Sequence, residues 1–192
     1  MVKRIIMLFF LCGTCQFACL RSQTLAVKTN VLSDAVGSPN LALEVALGGR
    51  LSLDVSGHYN PFSSEQSMRR RKHWLVQPEL RLWRCQPFSG HFIGLHVLAG
   101  EYNIADADLP ASLYKGTKKW RYEGFVMGAG ISYGYHFILS PHWGIEAVLG
   151  AGFVRASYDR YRCAHCGEKL GSGYKNYLGP TKAAISMVYI LR

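Results

Sequence analysis

From Leu25 onward, apolar residues recur at every second position rather than every third or fourth, the signature of strands with two unlike faces. Leu41, Leu43, Val45 and Leu47 share one side, and Ala42, Glu44 and Ala46 the other. Gly48-Gly49-Arg50 follows as a tight turn, after which Leu51, Leu53 and Val55 alternate with Ser52, Asp54 and Ser56. The segment reads as a β-hairpin with an oily face and a wet one. The same pattern predicts eight strands, near 25–33, 40–47, 50–59, 73–84, 90–103, 121–138, 142–158 and 181–191. In the sixth, Phe125, Met127, Ala129, Ile131, Tyr133, Tyr135 and Phe137 oppose Gly124, Val126, Gly128, Gly130, Ser132 and Gly134. In the seventh, Ile145, Ala147, Leu149, Ala151 and Phe153 oppose Glu146, Gly150 and Gly152. Pro78 falls inside the fourth, where it removes a ladder hydrogen bond, so a bulge is expected there.

The connections alternate in length. Gly48–Arg50, Cys85–Ser89 and Ser140–Pro141 are short, whereas Ser33–Pro39, Asn60–Lys72, Ile104–Trp120 and Asp159–Pro180 are longer. Short periplasmic turns and long outer loops are the pattern of outer-membrane barrels. Aromatic residues gather towards the predicted strand ends, at Tyr59, Trp74, Trp83, Tyr102, Trp120, Tyr122, Tyr135, Phe137, Trp143 and Tyr158, as interfacial girdles would. The expected fold class is all-β, an eight-stranded antiparallel up-and-down transmembrane β-barrel.

Ahead of this pattern, Lys3 and Arg4 precede an apolar run from Ile5 to Leu20 and then Arg21-Ser22-Gln23, the layout of a secretory signal. Residues 1–22 are therefore read as a signal peptide and residues 23–192 as one barrel domain. Gln16-Phe17-Ala18 ahead of Cys19 is a poor match to a lipobox. Removing the leader takes away three cations and no acid, so the formal charge falls from +10 to +7.

If the apolar face meets lipid, the opposite face fills the interior. Its polar inventory is Lys28, Asn30, Glu44, Asp54, Gln77, Glu79, Arg81, His96, Glu146 and Lys182. Charges buried this deep must be paired. Four carboxylates against three cations predict an interlocking plug in a barrel too narrow for a water channel. Catalysis at the rim would need a nucleophile and base in reach of one another; Ser56 with His58 is the nearest candidate pairing, and no catalytic residue is assigned.

Cys163-Ala164-His165-Cys166 is a C-x-x-C in the longest predicted loop. Nothing downstream supplies a second ligand pair for zinc, and no βαβ context supports a redox motif. A Cys163–Cys166 disulfide pinning the loop is the preferred reading in an oxidising compartment. No cofactor or metal is expected. The loops also hold a basic rim: Arg69, Arg70, Arg71, Lys72, Lys115, Lys118, Lys119, Arg121, Arg160, Arg162, Lys169 and Lys175. Five acids, Glu65, Asp106, Asp108, Asp159 and Glu168, leave an excess of seven, equal to the whole charge after leader removal. Such a rim suits lipopolysaccharide phosphates or acidic glycans. No nucleic-acid motif or stacking platform accompanies it.

At KHWLVQPELRLW (Lys72–Trp83), GHFIGLHVLAGEYN (Gly90–Asn103), RYEGFVMGAGISYGYHF (Arg121–Phe137) and CAHCGEKLGSGYKNYLGPTKAAIS (Cys163–Ser186), the chain resembles a domain-of-unknown-function family of Bacteroidetes outer-membrane proteins. The resemblance implies a small outer-membrane β-barrel, sometimes encoded near fimbria-assembly genes, with no established reaction. Members tend to end in an aromatic residue, from which Arg192 departs.

The expectation is thus a non-enzymatic outer-membrane barrel with a plugged polar interior. Its basic loops would serve surface contact, envelope integrity or fimbria-related assembly, with the outer membrane, lipopolysaccharide and fimbrial or other envelope proteins as partners. A soluble periplasmic lipocalin-like barrel binding an apolar ligand competes with it, and puts the same residues on opposite faces. A rim enzyme acting on lipid is the third reading.

Overall fold

The structure is a computed structural model and describes residues 24–35, 37–60, 70–105, 121–161 and 169–191. Its strands are β1 (Leu25–Asn30), β2 (Asn40–Gly48), β3 (Leu51–Asn60), β4 (Arg70–Trp83), β5 (Gly90–Ala105), β6 (Arg121–Ile138), β7 (Trp143–Tyr161) and β8 (Lys169–Leu191), with one short helix, α1 (Val31–Ala35). All eight pair antiparallel in sequence order in a single sheet. The sheet closes on itself because β1 also pairs with β8, from Leu25↔Leu191 to Asn30↔Ser186.

Alternation decides which way each side chain points. Leu43 is 46% exposed on the outside, while its neighbour Glu44 is fully buried. Along β7, Ile145, Leu149 and Phe153 face out and Glu146 and Val148 face in. The β2–β3 turn uses Gly48 and Gly49 at positive φ, a conformation that costs little without a Cβ.

The wall is uneven. Strand length rises steadily from 6 residues in β1 to 23 in β8, so the β7–β8 hairpin stands highest at the loop end. Residues 169–180, expected within the longest loop, instead continue β8 as far as Lys169↔Tyr161. The alternation there is blurred by three glycines and Pro180, and partnership with β7 overrides weak local propensity.

β1 is shorter than expected because Asn30 ends it. Its Oδ1 accepts from Leu32 N at 3.1 Å, an N-cap that starts α1 inside the stretch expected to remain strand. Asp34 ties the helix back, accepting from Thr29 Oγ1 at 2.7 Å and from Asn40 Nδ2 at 2.9 Å.

The bulge expected at Pro78 is absent. Pairing with β3 runs through Val55↔Pro78, and pairing with β5 lapses only between Val76↔Ala99 and Glu79↔His96, which share one register. The ladder absorbs the missing N–H on one side without a slip. The register instead shifts in β8, where Thr181 is left between Gly150↔Lys182 and Ala151↔Pro180.

Candidate functional site

The interior has three levels. At the turn end lies an apolar floor in which Trp83, Phe92, Val148 and Ala184 form one cluster and Ala26, Phe88 and Val188 another. Phe88 adopts φ 63°, a left-handed conformation unusual for a bulky residue, and is buried against Trp83 at 6.1 Å between ring centroids. Trp83 was expected in an interfacial girdle. It points inward because it shares the parity of Glu79 and Arg81 on β4.

Above the floor sits the ionic plug. Arg81 is its hub: Nε donates to Glu79 Oε1 at 2.6 Å, and Nη1 donates to Glu44 at 2.8 Å and to Glu146 at 2.9 Å. Nη2 lies 3.6 Å from Asp54. Lys28 pairs with Glu44, with Glu146 at 2.8 Å and with Asp54 at 3.4 Å. Lys182 donates to Glu79 at 2.8 Å. Seven ionisable groups from six strands are thereby drawn into one network, which closure of the sheet makes possible.

The remaining predicted interior residues have other partners. His96 Nε2 lies 2.9 Å from Thr181 Oγ1, whose bulge turns that hydroxyl inward, and Nδ1 lies 3.8 Å from Glu79. Gln77 is buried, with its Nε2 unpartnered. Asn30 takes no part in the ion pairs: it caps α1, and it prolongs the β1–β8 ladder by accepting from Ile185 N at 3.2 Å.

Three interior participants were missed in the sequence. Ser52 donates to Glu44 and accepts from Trp83 Nε1 at 2.7 Å, linking floor to plug. Phe92 lies under the Arg81 guanidinium at 4.5 Å. His136 is fully buried, with Nδ1 3.9 Å from Glu146. Parity would have found it, since it continues the inward glycine series of β6. Glycines on β6 and β7 make room for long side chains from the neighbouring strand: a Cβ at Gly130 would meet His96, one at Gly134 would meet Phe92, and one at Gly144 would meet His136.

The third level is a polar cavity of about 130 Å³ at the loop end, lined in part by Asn40, Ser56, His58 and Gln77. Ser56 Oγ donates to Gln77 O at 3.2 Å and makes no hydrogen bond to His58, so the two are not arranged as nucleophile and base. A cavity of this size holds about four waters at their liquid volume. The ionic plug and the apolar floor lie below it.

The outer face carries an apolar band with defined ends. On β4 nine residues separate Trp74 from Arg84, on β5 nine separate His91 from Glu101, and on β6 nine separate Phe125 from Tyr135. On β7 eleven separate Trp143 from Arg155. The outward residues between these limits are apolar except Tyr133, whose hydroxyl lies 2.6 Å from His91 Nδ1. Rings cluster at the turn end, with Trp143 4.9 Å from Tyr189 and Tyr135 4.5 Å from Phe137. Tyr102 and Tyr158, expected in the girdles, have inward parity.

The rim is mixed. Arg70, Arg71 and Lys72 begin β4, Arg121 begins β6, and Lys169 begins β8. Arg160 and Lys175 are exposed on β7 and β8. Glu101, Glu123 and, in α1, Asp34 stand at the same end, and counting them lowers the rim excess from seven to four. Arg69, Lys115, Lys118, Lys119, Arg162, Cys163 and Cys166 lie outside the described residues, and with them the loop disulfide. Cys85, in the β4–β5 turn, is a free, exposed thiol.

No curated protein and no solved structure matches the chain. A family described as "Protein of unknown function (DUF3575)" matches residues 5–191, almost the whole sequence, and the chain belongs to that family.

Proposed function

We propose that the protein is a membrane-spanning β-barrel of a Gram-negative outer membrane, sealed to solutes and non-enzymatic, which acts through its outward rim. The observation that carries this reading is the inverted distribution of polarity. An ion-paired interior is wrapped by an apolar belt that spans nine to eleven residues on each of β4, β5, β6 and β7, the length a tilted strand needs to cross hydrocarbon. A soluble ligand-binding barrel requires the reverse, with Leu43 inside and Glu44 in water. Among the described residues no helix is long and apolar enough to cross a membrane.

The rim would meet lipopolysaccharide phosphates, acidic glycans or other envelope proteins, fimbrial subunits included, through Arg160, Lys175 and the basic residues of the loops. Fractionation tests the membrane assignment: the leaderless protein is expected only in detergent extracts of the outer membrane, and recovery in a detergent-free soluble fraction would overturn it. Insertion into planar bilayers tests the seal. No conductance steps are expected, and a regular open-channel current would refute it.

A further inference from the structure

We infer that the outer wall carries a seat for one acylated, phosphorylated lipid, with a groove across β4–β7 for an acyl chain and Arg155 for a phosphate; this rests on the membrane-spanning reading and assigns it a specific ligand. Register places two rungs side by side on the outer face. Val76, Ala99, Met127 and Arg155 form the rung nearer the loops, and Val97, Ala129 and Phe153 the rung below it. Ala99 and Ala129 are small among larger neighbours, so a groove of about 670 Å³ opens over them, walled by Met127 and Phe153. Pro78, where the β4–β5 ladder lapses, borders it. In hydrocarbon such a hollow is filled by a lipid chain, because an empty one forfeits its dispersion contacts.

Arg155 supplies the polar end. It is exposed on the outer face, its guanidinium lies 4.5 Å from the Tyr174 ring, and no carboxylate among the described residues comes within ion-pair distance of it. A cation at the edge of an apolar belt needs an anion or a headgroup to answer it. Among the described residues, Glu101 stands one rung higher and two strands away, where it accepts from Trp74 Nε1 at 3.1 Å, and Glu123 and Asp159 stand two rungs higher. The Trp74 rung lies where interfacial aromatics sit. Arg155 stands one rung beneath it, from where its long side chain can snorkel to a lipid's phosphate, with the groove running inward as the chain would.

The test is native mass spectrometry of the full leaderless protein in nanodiscs, with bisphosphorylated lipid A as probe and dephosphorylated lipid A as control. One phosphorylated adduct per protein is expected. Its retention should fall about tenfold in Arg155→Gln, which loses a charge-assisted contact, and by a similar factor in Ala129→Phe, which fills the groove. Heat-modifiable migration identifies the variants that have folded. Equal retention by either folded variant, or of the dephosphorylated lipid, overturns the seat. So does a dimeric mass without lipid, which would give this face to a second copy. Failure of the wild-type protein to insert would sink the membrane reading itself, whereas insertion without an adduct removes the lipid seat alone.

Discussion

Glu79 and Arg81, two residues apart on the inner face of β4, are bonded at 2.6 Å and divide the interior between them. The second oxygen of Glu79 takes Lys182 from β8, while the rest of the Arg81 guanidinium takes Glu44 from β2 and Glu146 from β7. One strand therefore holds together carboxylates that the closed sheet brings within a few ångströms of one another.

Arg81→Met is expected to destabilise the fold by about 3–5 kcal/mol, because it leaves four buried carboxylates facing two amines. Urea unfolding in lipid vesicles, followed by tryptophan fluorescence, measures it. A loss below about 1 kcal/mol, the scale of an exposed pair, would mean that the interior is hydrated rather than sealed.

Glu79 and Lys182 meet at 2.8 Å across 103 positions of sequence. A double-mutant cycle with Glu79→Gln and Lys182→Met should return a coupling of about 1–3 kcal/mol. Additive losses would show that the two do not touch in the folded protein.

Gly144→Val drives a branched side chain into the His136 ring. Overpacking of this kind costs about 1–3 kcal/mol. His136→Ala in the same chain should recover most of that loss, and a double variant no more stable than Gly144→Val would argue that backbone strain, not the ring, is responsible.

Cys85 lies in a short turn and Lys175 on the high β7–β8 hairpin at the opposite end. In cells carrying Cys163→Ser and Cys166→Ser, a bulky impermeant maleimide should leave Cys85 unmodified until the outer membrane is breached. Lys175→Cys, with Cys85→Ser, should react in intact cells. The reverse pattern would invert the orientation.

Much of this was legible from residue types alone. Strict alternation in β2, β3, β6 and β7 by itself separates Leu43 from Glu44 and Phe153 from Gly152. Local signals were poorest where chemistry and geometry compete. Asn30 has the parity of an interior residue yet turns the chain into α1, since its side chain serves the helix start as readily as a strand. The β8 segment from Lys169 to Pro180 carries glycines and a proline that read as loop, and becomes strand because β7 is there to pair with it. Thr181 reaches His96 only through a bulge, which no alternation pattern announces.

By itself, then, the sequence determined two faces, eight strands and the polar content of one face, because side-chain direction in a strand depends only on odd or even position. The tertiary structure decided which of those polar groups meet. Lys28 finds Glu146 across 118 positions because β1 closes on β8 beside β7, and a partnership set by closure leaves no mark on local spacing. It also decided that Arg155 ends an apolar groove, since Ala99, Met127 and Phe153 become neighbours only once the register of four strands is fixed.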